Sequence, residues 1–169
     1  MTPYRIVLTG PESSGKTTLA QQLSNRLEAP LVPEFARTYL SALQKPYELA
    51  DLAYLQRGQQ AWEQFYQAQA NNWLILDTDW TVYRIWLNHF SPGSNLLLPS
   101  IPWSLSFLCS PDIPWEYDPL REHPTKRNAL FEEYKMLLEG TGWPFKILSG
   151  NPEERLEQAL QALQQAFGR

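Results

Sequence analysis

The stretch Tyr4-Arg5-Ile6-Val7-Leu8-Thr9-Gly10-Pro11-Glu12-Ser13-Ser14-Gly15-Lys16-Thr17-Thr18 decides the fold. Tyr4 to Thr9 reads as a buried strand, and Lys16 to Leu27 reads as a helix with Leu19, Ala20, Leu23 and Leu27 on one face. Between them, Gly10 to Thr17 fits the phosphate-loop (P-loop) pattern GxxxxGK[ST] at every defined position. Glycines let the backbone curl so that successive N–H groups point inward, and the helix N-terminus adds its positive dipole. Lys16 is placed to neutralise the β- and γ-phosphates of ATP, and the Thr17 hydroxyl to ligate Mg²⁺.

Outward from this unit the same alternation repeats. Leu31-Val32 is a short strand followed by a helix over Ala36 to Leu43, and Tyr47 to Asn71 is the longest helical pattern, weakened by Gly58. Trp73 to Leu76 is a third strand followed by a helix over Thr81 to Asn88, and Leu105 to Cys109 is a fourth strand followed by a helix over Thr125 to Leu138. Phe145 to Leu148 is a fifth, and Asn151-Pro152-Glu153-Glu154 signals a final helix with Leu156, Leu160, Leu163 and Phe167 on its apolar face. Five strands alternating with helices predict an α/β fold with a parallel sheet covered on both faces. Ligands then bind beyond the carboxyl ends of its strands.

Composition narrows the function classes. A chain of 169 residues with 43% hydrophobic and 19% charged content is expected to form one domain, residues 1–169, with an adequate core and no need of disulfides. The net charge of −4 argues against general binding of nucleic acid or anionic membrane. The apolar run Ile6 to Leu8 is too short for a signal peptide or a membrane span, which predicts a cytoplasmic protein. Cys109, the sole cysteine, reads as a small buried hydrophobe. His89 and His123 stand too far apart for a metal pair and receive no catalytic role.

The other strand ends supply the remaining chemistry. Asp77, after four apolar residues, occupies the position of a carboxylate that holds Mg²⁺. Asp79 either faces a substrate or caps the helix starting near Thr81. Glu34 and Arg37, three residues apart, put a carboxylate and a guanidinium toward the same cleft. Glu34 there suits accepting the proton of an attacking hydroxyl or holding a ribose diol. The segment Ser91 to Pro102 breaks into turn residues, the place most expected to be disordered or variable. Pro111 to Pro124 holds four prolines, two aromatics and several charges, and with Arg121, Lys126 and Arg127 it suits a phosphoryl-transfer lid over about residues 111–127.

The segments GPESSGKTTLA, VPEFARTYL, LDTDWTVYRIW and CSPDIPWEYDPLRE together resemble the ribosylnicotinamide kinase domain of NadR-type proteins, from Val7 to about Arg155. The resemblance implies a fold similar to nucleoside monophosphate kinases and transfer of the ATP γ-phosphate to the 5′-hydroxyl of nicotinamide riboside. It puts Gly10, Glu12, Ser13, Ser14, Gly15, Lys16, Thr17 and Thr18 on the ATP phosphates, and Arg121 and Arg127 in the lid. Glu34, Asp79, Trp115 and Asp118 then face the nucleoside, whose cationic ring suits an aromatic stack on Trp115 or Tyr117. The chain length leaves room for neither the adenylyltransferase domain nor the DNA-binding segment found in some NadR-type proteins. Another small-molecule kinase and an ATP-dependent regulatory switch are the alternatives. The guanine-specific elements NKxD and DxxG are missing from the sequence.

Overall fold

Strands β1 (Tyr4–Thr9), β2 (Leu31–Val32), β3 (Trp73–Asp77), β4 (Leu105–Cys109) and β5 (Phe145–Leu148) form one all-parallel sheet in the order β2-β3-β1-β4-β5. The computed structural model describes residues 2–43, 45–93, 101–118 and 125–168. Helices α1 (Lys16–Leu27) and α6 (Pro152–Phe167) cover one face of the sheet, and α4 (Trp80–Phe90) and α5 (Arg127–Thr141) cover the other. Helices α2 (Phe35–Ala42) and α3 (Leu49–Gln67) pack beyond α4.

Strand alternation explains the two cores. Ile6 and Leu8 point to the α1/α6 side with Leu19, Leu23, Ala159 and Leu163, whereas Val7 points to the α4/α5 side with Leu74, Leu76, Leu108 and Leu138. Both faces are buried, so the central strands are nearly continuous apolar runs. Three of the seven tryptophans meet on the second side: Trp103 stacks on Trp80 with centroids 6.1 Å apart and meets Trp143 edge-on at 4.8 Å.

The five strands fall where the sequence places them, and the helix ends move by a few residues. β3 runs one residue further, to Asp77, because Asp77 still pairs beside Leu8. The long helix is shorter than expected, Leu49–Gln67, with a capping box between Glu48 and Asp51 at its start. It runs unbroken through Gly58, for a tertiary reason. A Cβ at Gly58 would lie 2.1 Å from Cε1 of Phe35, whose ring packs edge-on against Trp62 at 5.1 Å. The apolar stripe of α6 is also rotated from the expected one. Arg155, Ala159, Ala162 and Leu163 are its buried residues, with Leu156, Leu160 and Phe167 only partly covered. Residues 94–100 of the segment Ser91 to Pro102 lie outside the described residues. Cys109 is fully buried, and burial pushes its thiol up to about 11, as expected of a packed hydrophobe.

Gly58→Ala tests the close approach of α2 and α3. Overpacking at a backbone-to-ring contact of this kind costs about 1–3 kcal/mol, so the variant is expected to unfold at lower urea than the native chain despite alanine's higher helix propensity. A midpoint equal to or above that of the native chain would show that Phe35 moves aside freely.

Candidate active site

β1 delivers the chain into the phosphate loop at the middle of the sheet. Gly10 (φ +131°) passes so close to β4 that a Cβ would lie 2.8 Å from the Cys109 carbonyl oxygen, and Gly15 (φ +77°) is the left-handed N-cap of α1. Ser13 adopts φ +50° although it has a side chain. Two arginines hold this curl from behind. The Arg127 guanidinium donates to the carbonyls of Ser13 (2.9 Å), Ile113 (2.8 and 3.0 Å) and Pro111 (2.7 Å). Arg155, 2% exposed, donates to the carbonyls of Ser14 (2.6 Å), Gly150 (2.7 Å) and Ser110 (3.0 Å) and pairs with Asp112. Ser13 Oγ adds a bond to the Glu116 carbonyl at 3.2 Å and accepts the Glu116 N–H at 3.1 Å. With the carbonyls of Ser13 and Ser14 held outward, the peptide N–H groups of the loop are left for an anion. Lys16 Nζ arches over the loop to the Pro11 carbonyl at 2.7 Å.

The acidic groups stand at the neighbouring strand ends. Asp77 is 5% exposed and hydrogen-bonds the Thr17 side chain; burial raises its carboxyl, against the pull of Thr17, Lys16 and Arg37. A hydroxyl and a carboxylate in contact beside a phosphate cradle fit Mg²⁺, which takes few protein ligands and completes its shell with phosphate oxygens and water. The described residues contain no cluster of three or more His, Cys, Asp or Glu suited to a metal. Thr78 takes φ +83°, and this bend turns the chain between Asp77 and Asp79. Asp79 is the N-cap of α4. It is fully buried, and Oδ1 accepts from the Thr81 N–H at 3.0 Å and the Thr81 hydroxyl at 2.7 Å. Its Oδ2 has no hydrogen-bond partner among the described residues, and burial lifts the carboxyl to about 6. Glu34, at the N-terminus of α2, is raised by desolvation and by the charge of Asp77, with Lys16 acting the other way.

A cleft of about 320 Å³ opens beside these groups, lined by Glu34 and Thr78 but not by Asp77 or Asp79. The phosphate loop from Gly10 to Thr18, Glu34, Arg37 and Thr78 line it, so Glu12, Ser13, Ser14, Gly15, Lys16 and Thr17 share one cavity with Glu34 and Arg37. Beyond Glu34 the wall consists of Ala36, Leu40, Val82, Ile85, Trp86, His89, Leu130 and Tyr134. Other expected residues stand apart. Arg127 is committed to main-chain carbonyls rather than to the cleft, and Arg121 lies outside the described residues. Trp115 and Tyr117 meet each other at 6.2 Å, Tyr117 is 79% exposed, and neither ring is in the cleft wall. Asp118 pairs with Arg37 at 2.8 Å, tying the loop after β4 to α2.

Several residues of this site had no functional reading in the sequence. Val82, Ile85, Trp86 and His89 follow helical spacing on one face of α4, a pattern that reads equally as core. Arg155 carried a usable signal: four, seven and eight residues before Ala159, Ala162 and Leu163, it is an arginine on an apolar stripe.

A parallel sheet with a phosphate loop after its central strand, flanked by helices on both faces, is a P-loop fold of the nucleoside-kinase kind. A family model described as an AAA domain matches residues 5–155, and the chain belongs to that family. No curated protein matches it. Among solved structures it superposes on NadR in complex with NR with a TM-score of 0.80 and 22% identity, over 99% of this chain and 52% of that one. NadR in complex with NAD and AMP-PNP gives 0.76 and 23%, over 99% and 50%. Thymidylate kinase from Ehrlichia chaffeensis gives 0.69 and 12%, over 97% and 100%. The likeness to NadR expected from the sequence therefore holds across the fold, and the chain spans about half the length of the NadR chains it matches.

Two variants test the frame of this site. Arg155→Ala leaves three carbonyls and Asp112 without their donor, and is expected to cost about 3–5 kcal/mol in denaturant unfolding. Arg155→Lys, keeping the charge but not the fork, should fall between the two; a lysine variant as stable as the native chain would contradict the clamp. Asp79→Asn isolates the buried carboxyl. Because its pKa is raised in the folded chain, native protein holds a proton that the unfolded chain releases between pH 4 and 6, so stability falls as pH rises through that window. Relative to the native chain, Asp79→Asn should gain up to about 3 kcal/mol between pH 4 and pH 7 in urea melts. A pH-independent difference would show that Asp79 titrates alike in the folded and unfolded chains.

Proposed function

We propose that the protein transfers the γ-phosphate of ATP to the 5′-hydroxyl of a nucleoside, with nicotinamide riboside as acceptor and nicotinamide mononucleotide as product. One observation carries the reading: a single cleft runs from the phosphate loop, past Glu34, into a pocket walled by aromatic and aliphatic side chains. ATP binds with its phosphates in the loop and Lys16 over them. Thr17 and Asp77 would hold Mg²⁺, which would supply neutralisation of phosphate charge. The acceptor's 5′-oxygen forms a bond to the γ-phosphorus as the bond to the β,γ-bridging oxygen breaks, ADP leaves, and Glu34 takes the hydroxyl proton. A carboxyl raised by burial is the better proton acceptor at neutral pH.

The pocket beyond Glu34 suits a flat, cationic ring. Trp86 is braced by Tyr83 edge-on at 5.9 Å and by Tyr47 at 5.6 Å, and Tyr134 stands in the same wall from α5. An aromatic face over a pyridinium contributes about 0.5–2 kcal/mol, and Glu34 adds a nearby negative charge. These rings take the part that Trp115 and Tyr117 were expected to play. The solved NadR structure in complex with NR supports the same acceptor class, on a fold that matches nearly the whole of this chain.

The test is to incubate the protein with MgATP and a panel of nucleosides: nicotinamide riboside, deoxyadenosine, thymidine and cytidine. Nicotinamide mononucleotide and ADP are expected in equal amounts, with Lys16→Ala inactive and Glu34→Gln slower in kcat by about 10²-fold. Phosphorylation of deoxyadenosine or thymidine in preference would keep the kinase and replace the acceptor. ADP release with no phosphorylated nucleoside would overturn the reading in favour of a nucleotide-dependent switch.

A further inference from the structure

Phosphoryl transfer concentrates negative charge at one place in the cleft, and among the described residues three permanent cations line it: Lys16, Arg37 and Arg155. They are not equally free to meet a phosphate. Arg155 is 2% exposed and gives its donors to the carbonyls of Ser14, Gly150 and Ser110 and to Asp112. Lys16 already arches over the loop, where a P-loop lysine meets the β- and γ-phosphates. Arg37 differs from the arginines that clamp the loop. Among the described residues its guanidinium bonds only Asp118, at 2.8 Å, in a pair whose side chains are 49% and 21% exposed.

Its place is set from two directions. Arg37 follows Glu34, the N-cap of α2, by three residues, which puts the two on one side of the first helical turn, and both line the cleft with Lys16. Lys16 and Arg37 each act by charge on Glu34 and on Asp77, so both cations lie within electrostatic reach of both carboxyls. The phosphate loop fixes the other end. Its N–H groups cradle the α- and β-phosphates and Lys16 reaches the γ-phosphate, which brings the γ-oxygens to this same group of four charges. Against two carboxyls and a γ-phosphate, Lys16 is a single positive charge. Arg37 is the second, and its planar fork matches two phosphate oxygens at once.

We infer that Arg37 is a catalytic residue of the transfer: its guanidinium turns from Asp118 to the γ-phosphate oxygens and neutralises the charge that spreads over them in the transition state. Asp118 is a positioning residue, holding the guanidinium at the cleft until ATP is bound. This rests on the kinase reading above and deepens it by naming the cation that meets the transferring group. Exposed ion pairs contribute little to stability, so exchanging Asp118 for a phosphate costs little, whereas Arg127 would have to give up its bonds to three carbonyls. Arg37 keeps its proton throughout and acts by charge and hydrogen bonds alone, while the hydroxyl proton goes to Glu34.

The experiment measures kcat with MgATP and the best acceptor of the panel above, and ATP binding by titration without acceptor, using the full chain. Arg37→Ala is expected to lower kcat by about 10²–10³-fold while weakening ATP binding far less, because the contact strengthens only in the transition state. Guanidinium ion at sub-denaturing concentration should restore part of the lost rate in that variant and none in the native protein. Asp118→Asn should lower kcat by much less than Arg37→Ala, since Arg37 remains. A merely structural tie between α2 and the loop after β4 would make the two variants lose alike, with no recovery on adding guanidinium. A kcat for Arg37→Ala within about threefold of native, or a loss that Asp118→Asn shares or that guanidinium leaves in place, overturns this inference and leaves the kinase standing. Native protein that phosphorylates no nucleoside overturns both readings.

Discussion

Two guanidinium groups bonded to the carbonyls of the phosphate loop set the geometry on which everything else here depends. The loop must present its N–H groups to an anion, which requires its carbonyls to point away, and carbonyls turned into protein need donors. Arg127 supplies one to Ser13 and Arg155 one to Ser14. Because the same guanidinium groups also bind the carbonyls of Ser110, Pro111, Ile113 and Gly150, the loops after β1, β4 and β5 are fixed to one another. Arginine suits this task better than lysine, since a planar fork with five donors satisfies several carbonyls at once without needing a counter-charge for each. The left-handed turn at Ser13, unfavourable for a residue with a side chain, is held in place by these contacts together with the Ser13–Glu116 bonds.

From that frame the acidic groups divide by environment rather than by sequence spacing. Asp77 and Asp79 are two residues apart at the end of one strand, yet the positive φ of Thr78 separates their roles. Asp77 stays with Thr17 beside the phosphate loop, whereas Asp79 caps α4. Capping fixes where α4 starts, and the start of α4 fixes which of its residues stand opposite Glu34 and the phosphate loop. A carboxyl with no direct hand in the cleft thereby sets the position of Val82, Trp86 and His89.

The sheet was legible in the sequence because its signals are local and redundant. Five apolar runs of four to six residues, or two in β2, each followed by helical periodicity, leave few topologies, and the motif GPESSGKT identifies the central strand. The phosphate side of the site was legible for the same reason, being one continuous segment. The rest of the cleft wall is assembled from α2, α4 and α5, and residues that meet only in three dimensions carry no spacing signal. Trp86 and Tyr134 look like core because they are also core-facing, and periodicity cannot tell a wall of a cleft from a packed interior. Gly58 illustrates the reverse error: its helix-breaking tendency is a local preference, overridden because the Phe35 ring occupies the space a side chain would need.

The loop after β4 shows how little charge composition alone says about what each charge does. Arginines near a proline-rich segment suit a lid, and the two arginines of that segment have one chemistry but need not share one task. Arg127 begins α5, where its backbone is fixed by the helix and its side chain reaches back to carbonyls at 2.7–3.0 Å. Each of those bonds would have to be exchanged for a phosphate contact before Arg127 could act as a mobile cation. A group that holds the phosphate loop in shape pre-organises its donors, whose value depends on not moving. The stiffness supplied by Pro111 and Pro114 fits that static part, since it keeps the carbonyls of residues 111 and 113 where the guanidinium meets them.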